Sequence, residues 1–481
     1  MGTSGFSVLK NSITISCSRV FIIWSLVMTL SVFTSCLDVK SRKVEAVIEA
    51  EEEVYDYIPA NNGAGPMWCH GSTSIVRLGE KVYASGLETV PAWKILNNCR
   101  WMLFERSDSG WKKLYTDTVG RTREPAPMAA YHDGHFFLSA NPTLTDTGAY
   151  NGPSRPEINQ FNSNGDMMRF DRLFPEWADN PPFTEHSYRS LAADGLSSEL
   201  ILFQNIGYTH AEYSFLDRDG NWSAKGQLKW PWGSDYEVPE PIRVCYPNVM
   251  LKDRAVYFCG VSDIIEPKKA WREFKRELTG NEWDYDFRRL FYTWSDDITT
   301  GKFHDWIEIA SREETCGWIY PGDLWVGPDG SVHILWTEKA IDERLREKFF
   351  PEARQSHSLN YALVRNGKVE VRTTIEIAEE GKGNLIPGRG RFHITPDNRI
   401  LVLYFISGTD TAGNKIAENR IVEIFRGGIA GKEVVLPLRN PFTNFFTSTV
   451  RAGSQPSNLI DILGTPEGIN NSIRYARILI R

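Results

Sequence analysis

The sequence predicts an all-β fold, a seven-bladed β-propeller built from four-stranded antiparallel blades. The first observation behind this prediction is a hairpin pattern that recurs seven times between residue 66 and the C-terminus. The second is that most of these hairpins are followed by another with a polar, glycine-bearing turn, which gives four strands per unit. No amphipathic helical pattern competes outside two insertions. Because no linker interrupts the recurrence, two β-sandwich domains are the weaker interpretation.

Each unit starts with a strand of alternating character, continues through a turn containing Asp, Asn or Gly, and returns in a strand of mainly β-branched, Leu and aromatic residues. The units follow one another at spacings of roughly 40 to 75 residues, as repeated blades do. Their first strands cover residues 71–77, 126–131, 187–193, 246–251, 320–326, 391–394 and 446–451. The turns of the following hairpins fall within 107–111, 162–165, 217–222, 295–306 and 365–367.

Residues 1–35 are typical of an export signal, because Lys10 and Arg19 precede an apolar run that is short for a membrane span. The small residues before Cys36 resemble a bacterial lipobox, although Phe33 stands where a leucine is usual. The sequence therefore predicts a lipoprotein-type signal peptide, lipidation of Cys36 and an exported protein held at the cell envelope by a lipid anchor. Plain secretion and a retained membrane anchor are the alternatives.

Residues 36–65 are acidic and poor in core residues, which predicts a tether, although residues 53–58 have the character of one more strand. The propeller is then expected to span residues 66–481. The formal charge of the chain is −7, and it becomes −9 without residues 1–35, which carry two basic residues and no acid. A nucleic-acid partner is not expected for such a chain.

Five cysteines follow Cys36, and an odd number cannot all pair within one chain. Disulfides between Cys69 and Cys99, or between Cys245 and Cys259, are one interpretation in an oxidising compartment. Buried thiols are the other. The sequence has no CxxC pair or His-rich spacing, so we predict no metal site and no cofactor, and leave a structural calcium ion in the axial channel open.

The connections between the second and third strands of the units are often long, whereas the turns inside the hairpins are short. The long connections cover residues 87–98, 142–156, 264–286, 339–355 and 409–418. In a propeller they lie on the same face as the starts of the innermost strands. Because loops on a rigid scaffold carry function, we expect the site on this face.

Residues at the starts of the innermost strands are expected to meet around the propeller axis, although they are far apart in sequence. They are rich in Arg, Tyr and His. Unit by unit they are His70; Arg123 and Glu124; Glu185, His186, Tyr188 and Arg189; Arg243 and Tyr246; Trp318 and Tyr320; Arg389, Arg391 and His393; and Asn444 and Phe446.

This set suits the chemistry of an acidic sugar. Arginines bind a carboxylate bidentately and, by neutralising it, ease removal of the adjacent proton. A neutral histidine takes that proton and a tyrosine protonates the departing oxygen, each contributing roughly 10²–10⁴ in rate. Exposed aromatic rings stack on neighbouring sugars. An acidic polysaccharide or oligosaccharide is thus the predicted partner.

The seven units, the export signal and the His, Tyr and Arg residues at the inner-strand starts resemble BNR-repeat propellers, which include the seven-bladed ulvan lyases and related rhamnose-glucuronate lyases. The resemblance implies cleavage of a uronic-acid polysaccharide by β-elimination. By position it implies His70 and His186 as base candidates, Tyr188 and Tyr246 as acid candidates, and arginines as carboxylate binders. The predicted substrate-binding residues are Arg189, Arg243, Tyr320, Arg389 and Arg391.

Two other function classes stay open. A glycoside hydrolase, rhamnosidase-like or sialidase-like, needs two carboxylates about 5 to 9 Å apart. Its evident candidates are Glu124, Glu185, Asp323 and Glu338, although sialidases have six blades. A non-catalytic glycan-binding propeller is the third class, since a fold does not establish catalysis.

Overall fold

The computed structural model describes residues 44–68, 71–186, 188–382 and 384–481. These residues form seven antiparallel sheets arranged in a ring, so the predicted seven-bladed β-propeller is confirmed. The first strands of successive sheets contact one another around the axis, and the first strand of blade 1 closes the ring against blade 7. The described residues include two short α-helices, α1 (Lys269–Thr279) and α2 (Glu343–Phe349), and one 3-10 helix, Ile298–Thr300.

The strands of each blade run from the axis outward. Blade 1 consists of Ile75–Leu78, Lys81–Thr89, Cys99–Ser107 and Gly110–Thr116. Blade 2 consists of Met128–Ala130, His135–Ala140, Glu157–Asn162 and Asp171–Leu173. Blade 3 consists of Arg189–Asp194, Glu199–Ile206, His210–Leu216 and Trp222–Lys229. Blade 4 consists of Val244–Lys252, Ala255–Ser262, Arg289–Ser295 and Ile307–Ser311.

Blade 5 consists of Trp318–Val326, Val332–Lys339, Ser356–Arg365 and Lys368–Glu379. Blade 6 consists of Ile386–Ile394, Ile400–Thr409 and Lys415–Phe425, with the short strands Ile429–Ala430 and Val434–Val435 on its outer edge. Blade 7 consists of Phe442–Thr447, Leu459–Pro466, Ser472–Ile480 and Ala46–Asp56. Two small ribbons pair Trp232–Gly233 with Glu240–Pro241 and Ile264–Ile265 with Tyr285–Asp286.

The N-terminal strand Ala46–Asp56 completes blade 7 as its outer strand by pairing antiparallel with Ser472–Ile480. This strand takes up 11 residues of the segment 36–65, for which a tether was expected, and it starts before the predicted strand at residues 53–58. The physical reason is that blade 7 has only three strands from the C-terminal part of the chain. A fourth strand satisfies the backbone groups of its outer edge. The expected signal peptide and Cys36 lie outside the described residues.

Apolar and aromatic side chains pack the faces of neighbouring blades together. Between blades 1 and 2, for example, the rings of Tyr83 and Phe136 stack with centroids 4.3 Å apart, and Phe136 in turn stacks on Phe161 at 5.1 Å. The second strands of the blades, such as Ala255–Ser262 and Ile400–Thr409, are largely buried on both faces and are accordingly rich in apolar residues. The interleaved faces fix the position of each inner-strand start relative to the others.

The cysteines whose side chains are described are buried thiols. Cys99, Cys245, Cys259 and Cys316 are all free, so the structure has no disulfide between Cys245 and Cys259. The reason is geometric, because Cys245 lies opposite Val261 in the ladder whereas Cys259 lies opposite Asn248. Cys69 lies outside the described residues.

Register irregularities interrupt the beginnings of four inner strands. They lie at 245–248 in blade 4, at 321–323 in blade 5, at 387–390 in blade 6 and at 442–444 in blade 7. Bulges of this kind bend the strand and redirect side chains. Both α-helices lie in the predicted long connections, after the second strands of blades 4 and 5. One face of the ring therefore carries the longer connections and the redirected residues.

Candidate functional site

A cavity of about 730 Å³ opens where the inner strands of blades 3 and 4 begin. Its lining is aromatic and polar, and it joins residues from blades 2 to 4 with the segment before blade 1. The lining side chains that bear on function are Trp68, Arg123, His186, Tyr188, Tyr208, Arg243, Tyr246, Asp263, Tyr285 and Phe287. The structure thus brings four of the predicted catalytic and substrate-binding residues, His186, Tyr188, Arg243 and Tyr246, into one volume, together with Arg123 of the converging set.

His186 is held by a buried carboxylate. Its Nδ1 lies 2.8 Å from Oε1 of Glu124, which lies in the connection between blades 1 and 2. A carboxylate accepts a hydrogen bond and cannot donate one, so this contact places the proton of a neutral imidazole on Nδ1. The other nitrogen, Nε2, then carries the lone pair. Because the side chain of His186 lines the cavity, this arrangement suits a general base.

Tyr188 and Tyr246 continue the site from His186. The rings of His186 and Tyr188 meet edge to face with centroids 5.1 Å apart, and those of Tyr188 and Tyr246 do the same at 4.9 Å. Burial raises the pKa of both tyrosines well above the ordinary value. Their hydroxyl groups therefore stay protonated, which excludes both tyrosines as general bases.

The backbone of Tyr246 has a left-handed conformation, with φ of 50°. This conformation is unfavourable for a residue with a bulky side chain and is often found at functional sites. It lies in the irregular stretch at the start of the blade 4 inner strand. Gly71 packs beside it, since a Cβ there would lie 2.1 Å from the carbonyl oxygen of Pro247. The bulge and this close approach together direct the Tyr246 ring toward Tyr188.

Arg243 supplies a buried positive charge to the cavity. Its Nη2 lies 2.7 Å from Oδ2 of Asp263, and its Nε donates to the Asp263 carbonyl oxygen at 2.8 Å. The guanidinium also lies 4.0 Å from the ring centroid of Tyr208 and 5.4 Å from that of Tyr188. Asp263 holds one side of the guanidinium in place. Among the described residues, the lining carries two arginines, Arg123 and Arg243, against this single carboxylate, which favours an anionic ligand.

The connection that follows Asp263 is anchored by a buried ionic network beneath α1. Glu266 lies 2.7 Å from Arg288 Nη1 and 2.9 Å from Lys275 Nζ. These two cations hold the pKa of Glu266 down, to about 2, despite its burial. The network fixes both ends of the segment that delivers Tyr285 and Phe287 to the cavity. It therefore positions the wall of the site.

Tyr320 and Arg389 extend the site beyond the cavity. The Tyr320 ring stacks on Tyr246 with centroids 5.8 Å apart, and the guanidinium of Arg389 lies 3.8 Å from the centroid of Tyr320. Arg389 Nη1 also donates to Oδ1 of Asn444 at 3.0 Å. Both residues lie at the inner-strand starts where the sequence places them.

Arg189 and Arg391 are not among the residues that line the cavity. Both are buried, and both donate to backbone carbonyl oxygens: Arg189 Nη2 to Pro125 at 2.6 Å, and Arg391 Nε to Phe445 at 3.2 Å. Burial lowers the pKa of Arg391 to about 10. Alternation in blade 3 places the Arg189 side chain on the opposite side of the chain from Tyr188, and Arg391 follows the irregular stretch at 387–390. The remaining base candidate, His70, lies outside the described residues.

The sequence does not identify Asp263, Tyr208, Tyr285 or Phe287 as site residues. Each lies at the edge of a connection rather than at an inner-strand start, so no periodic pattern marks it. The sequence does place Arg123 and Glu124 among the residues expected to meet around the axis. It does not predict the contact between Glu124 and His186, because these residues are 62 positions apart and only the tertiary structure brings them together.

Within the described ranges, no group of three or more His, Cys, Asp or Glu side chains is arranged to hold a metal ion. The same part of the chain contains no helix that is long and apolar enough to cross a membrane.

Comparisons with known proteins identify the fold. No family model matches the sequence, and no curated protein matches it. Among solved structures, the polysaccharide lyase Uly1 is similar with a TM-score of 0.50 and 12% identity, over 90% of this chain and 93% of the lyase. A protein of unknown function from Dyadobacter fermentans matches 92% of this chain and all of its own, with a TM-score of 0.41 and 12% identity. An α-L-arabinanase from Penicillium chrysogenum covers 90% of this chain and 98% of its own, with a TM-score of 0.40 and 11% identity.

Proposed function

We propose that the cavity is the active site of a lyase that cleaves a uronic-acid-containing polysaccharide by β-elimination. The observation that carries the proposal is the contact between His186 and Glu124, which leaves Nε2 as a base beside two protonated tyrosines and two arginines. The polysaccharide lyase Uly1 shares the fold. The chemistry assigned to this chain rests on its own residues.

In this proposal Arg243, together with Arg123, binds the uronate carboxylate and neutralises its charge. Neutralisation lowers the free energy of the enolate that forms when the C5 proton is removed. His186 Nε2 accepts that proton, and the electron pair of the C5–H bond forms the C4–C5 double bond. The bond from C4 to the glycosidic oxygen breaks, and a tyrosine hydroxyl protonates the departing oxygen. Tyr246 is our choice for this acid, with Tyr188 as the alternative.

The raised pKa of both tyrosines supports the choice of His186 as the base. A phenol that stays protonated cannot take the C5 proton, so the base is the histidine. A hydrolase mechanism has less support in this cavity, because it needs two carboxylates. Among the described lining residues the one carboxylate is Asp263, and it is paired with Arg243. Glu124, the nearby alternative, is engaged by the His186 ring.

The direct test is incubation of the full chain with a panel of uronate-containing polysaccharides, including ulvan, alginate and polygalacturonate. A lyase produces the ultraviolet absorbance of a conjugated, unsaturated uronate. We expect His186→Ala to abolish this absorbance while the thermal melt stays nearly unchanged. New reducing ends without absorbance would favour hydrolysis, and retention on a glycan column without turnover would favour a binding protein.

Export and lipidation of Cys36 belong to the same proposal, because a polysaccharide too large to enter a cell must be met outside it. The test is metabolic labelling with a fatty-acid analogue in a bacterial host. Incorporation should be lost in Cys36→Ser. Equal labelling of that variant would show that Cys36 carries no lipid.

A further inference from the structure

A second aromatic surface continues outward from the cavity. Phe287, which lines the cavity, packs against Trp318 with ring centroids 4.6 Å apart and an angle of 33° between the rings. Phe287 is itself stacked on Tyr246 at 6.0 Å and 22°. The three rings form a stepped row from the proposed acid to the surface. Trp318 is 44% exposed, so its outer part is open to a ligand.

The backbone around Trp318 is fixed. The amide of Ile319 donates to the carbonyl oxygen of Phe287 at 2.6 Å, which ties the start of the blade 5 inner strand to the wall of the cavity. On the other side, a Cβ at Gly317 would lie 2.3 Å from the carbonyl oxygen of Lys339, so only glycine allows this approach. A platform held on both sides loses little conformational entropy when a ligand binds to it.

Lys339 adds a positive charge beside this platform. It lies directly opposite Trp318 in the antiparallel ladder, and residues opposite each other project from the same face of a sheet, with Cβ atoms about 5 Å apart. Lys339 is half-buried, and no ion pair to it is found in the part of the chain that the structure describes. An aromatic platform next to a cation fits a sugar ring that bears a carboxylate.

We infer that Trp318 and Lys339 form a second subsite, which binds an acidic sugar of the same chain next to the sugar in the cavity. The inference rests on the proposed function and adds to it a preference for substrates longer than a disaccharide. The sugar ring stacks on Trp318, while the ammonium group of Lys339 pairs with the carboxylate. Continuity through Phe287 is the reason for assigning the subsite to the same polysaccharide.

The test is isothermal titration of the full chain carrying His186→Ala, which keeps the saccharide intact, with a di-, a tetra- and a hexasaccharide of alternating rhamnose and glucuronate. In this background, Trp318→Ala should weaken binding of the longer saccharides by about ten-fold, as loss of one aromatic contact does. Disaccharide binding should be unchanged. Trp318→Phe keeps a ring and should retain most of the affinity, which controls for misfolding.

Lys339→Met should weaken binding of the longer saccharides by about two- to five-fold at low salt, the worth of an exposed ion pair. It should have no effect on the same saccharides after reduction of their carboxyl groups. The matched control is Trp232→Ala, which removes a tryptophan that is 61% exposed on a different connection. It should leave every affinity unchanged.

The subsite is overturned if Trp318→Ala binds all lengths as the background does, or if the background binds none of them. The proposed lyase fails separately, when the wild-type chain produces no unsaturated product from any polysaccharide of the panel. Length-dependent binding that needs Trp318, without any unsaturated product, would therefore retain the subsite and reject the reaction.

Discussion

Replacement of Glu124 by glutamine changes one charge beside His186 and little else. The side chain keeps its size, and the position is 6% exposed. The Glu124 carboxylate can only accept a hydrogen bond from Nδ1 of His186, whereas the amide of glutamine can also donate one. A donating amide stabilises the tautomer with the proton on Nε2. In that tautomer the nitrogen that faces the substrate has no lone pair for the C5 proton.

The expected effect on rate follows from what the base contributes. Proton transfer by a positioned side chain contributes roughly 10²–10⁴, so kcat should fall by about that factor, equivalent to about 3 to 5 kcal/mol. Folding should suffer less, because one hydrogen bond to a charged group is worth about 2 kcal/mol. The KM should change little, since Glu124 is behind the ring and not among the residues that line the cavity.

The assay is the initial rate of ultraviolet absorbance on the polysaccharide that the wild type cleaves, with a thermal melt of each variant. Glu185→Gln is the matched control, because Glu185 is 8% exposed, precedes His186 in the chain, and accepts a hydrogen bond from the Gly152 amide instead of an imidazole. It should keep a rate close to that of the wild type. A Glu124→Gln enzyme with a rate within about three-fold of wild type would refute the proposed orientation of His186.

Three further predictions concern the acid, the core and the outer strand of blade 7. Tyr246→Phe should lower kcat by about 10²–10⁴ in the same absorbance assay. Because burial raises the pKa of Tyr246, the wild-type rate should not fall through ionisation of this phenol up to pH 10. A fall in rate below pH 10 that is absent in the variant would contradict the raised pKa. Desolvation lowers the pKa of buried His393 to about 4, below its value of 6.5 in the unfolded chain. The free energy of unfolding should therefore decrease by up to about 3 kcal/mol as the pH falls from 6.5 to 4. Urea unfolding of wild type and His393→Asn at both ends of that range measures this, and equal pH dependence of the two proteins would argue against it. Deletion of Ala46–Asp56 should lower the Tm measured by calorimetry by more than about 5 °C. The deletion exposes the edge of Ser472–Ile480 and removes Tyr55, whose ring stacks on Phe104 with centroids 5.0 Å apart. An unchanged Tm would mean that three strands suffice for blade 7.

The recurrence of hairpins determines the fold, and it is visible without the structure. Alternating and apolar strands separated by turns with glycine, asparagine or aspartate are local features, so the sequence predicts seven four-stranded blades. The same pattern locates His186, Tyr188 and Tyr246 at the starts of inner strands. It does not predict the strand Ala46–Asp56 in full, because the acidic character of that segment conceals a pairing with residues more than four hundred positions away in the chain.

The amino-acid sequence by itself thus determines which residues lie near the propeller axis, because the order of the strands and the alternation of side chains along them follow from local sequence. Tertiary structure alone decides which of them face one cavity. Arg189 begins its inner strand and Arg243 immediately precedes one, yet Arg189 donates to a backbone carbonyl oxygen in the interior, as Arg391 does from within the blade 6 inner strand. Arg243 reaches the cavity because Asp263, on a different strand end, holds it there. The pairing of Glu124 with His186 likewise depends on how blades 2 and 3 pack, and no local pattern encodes that distance.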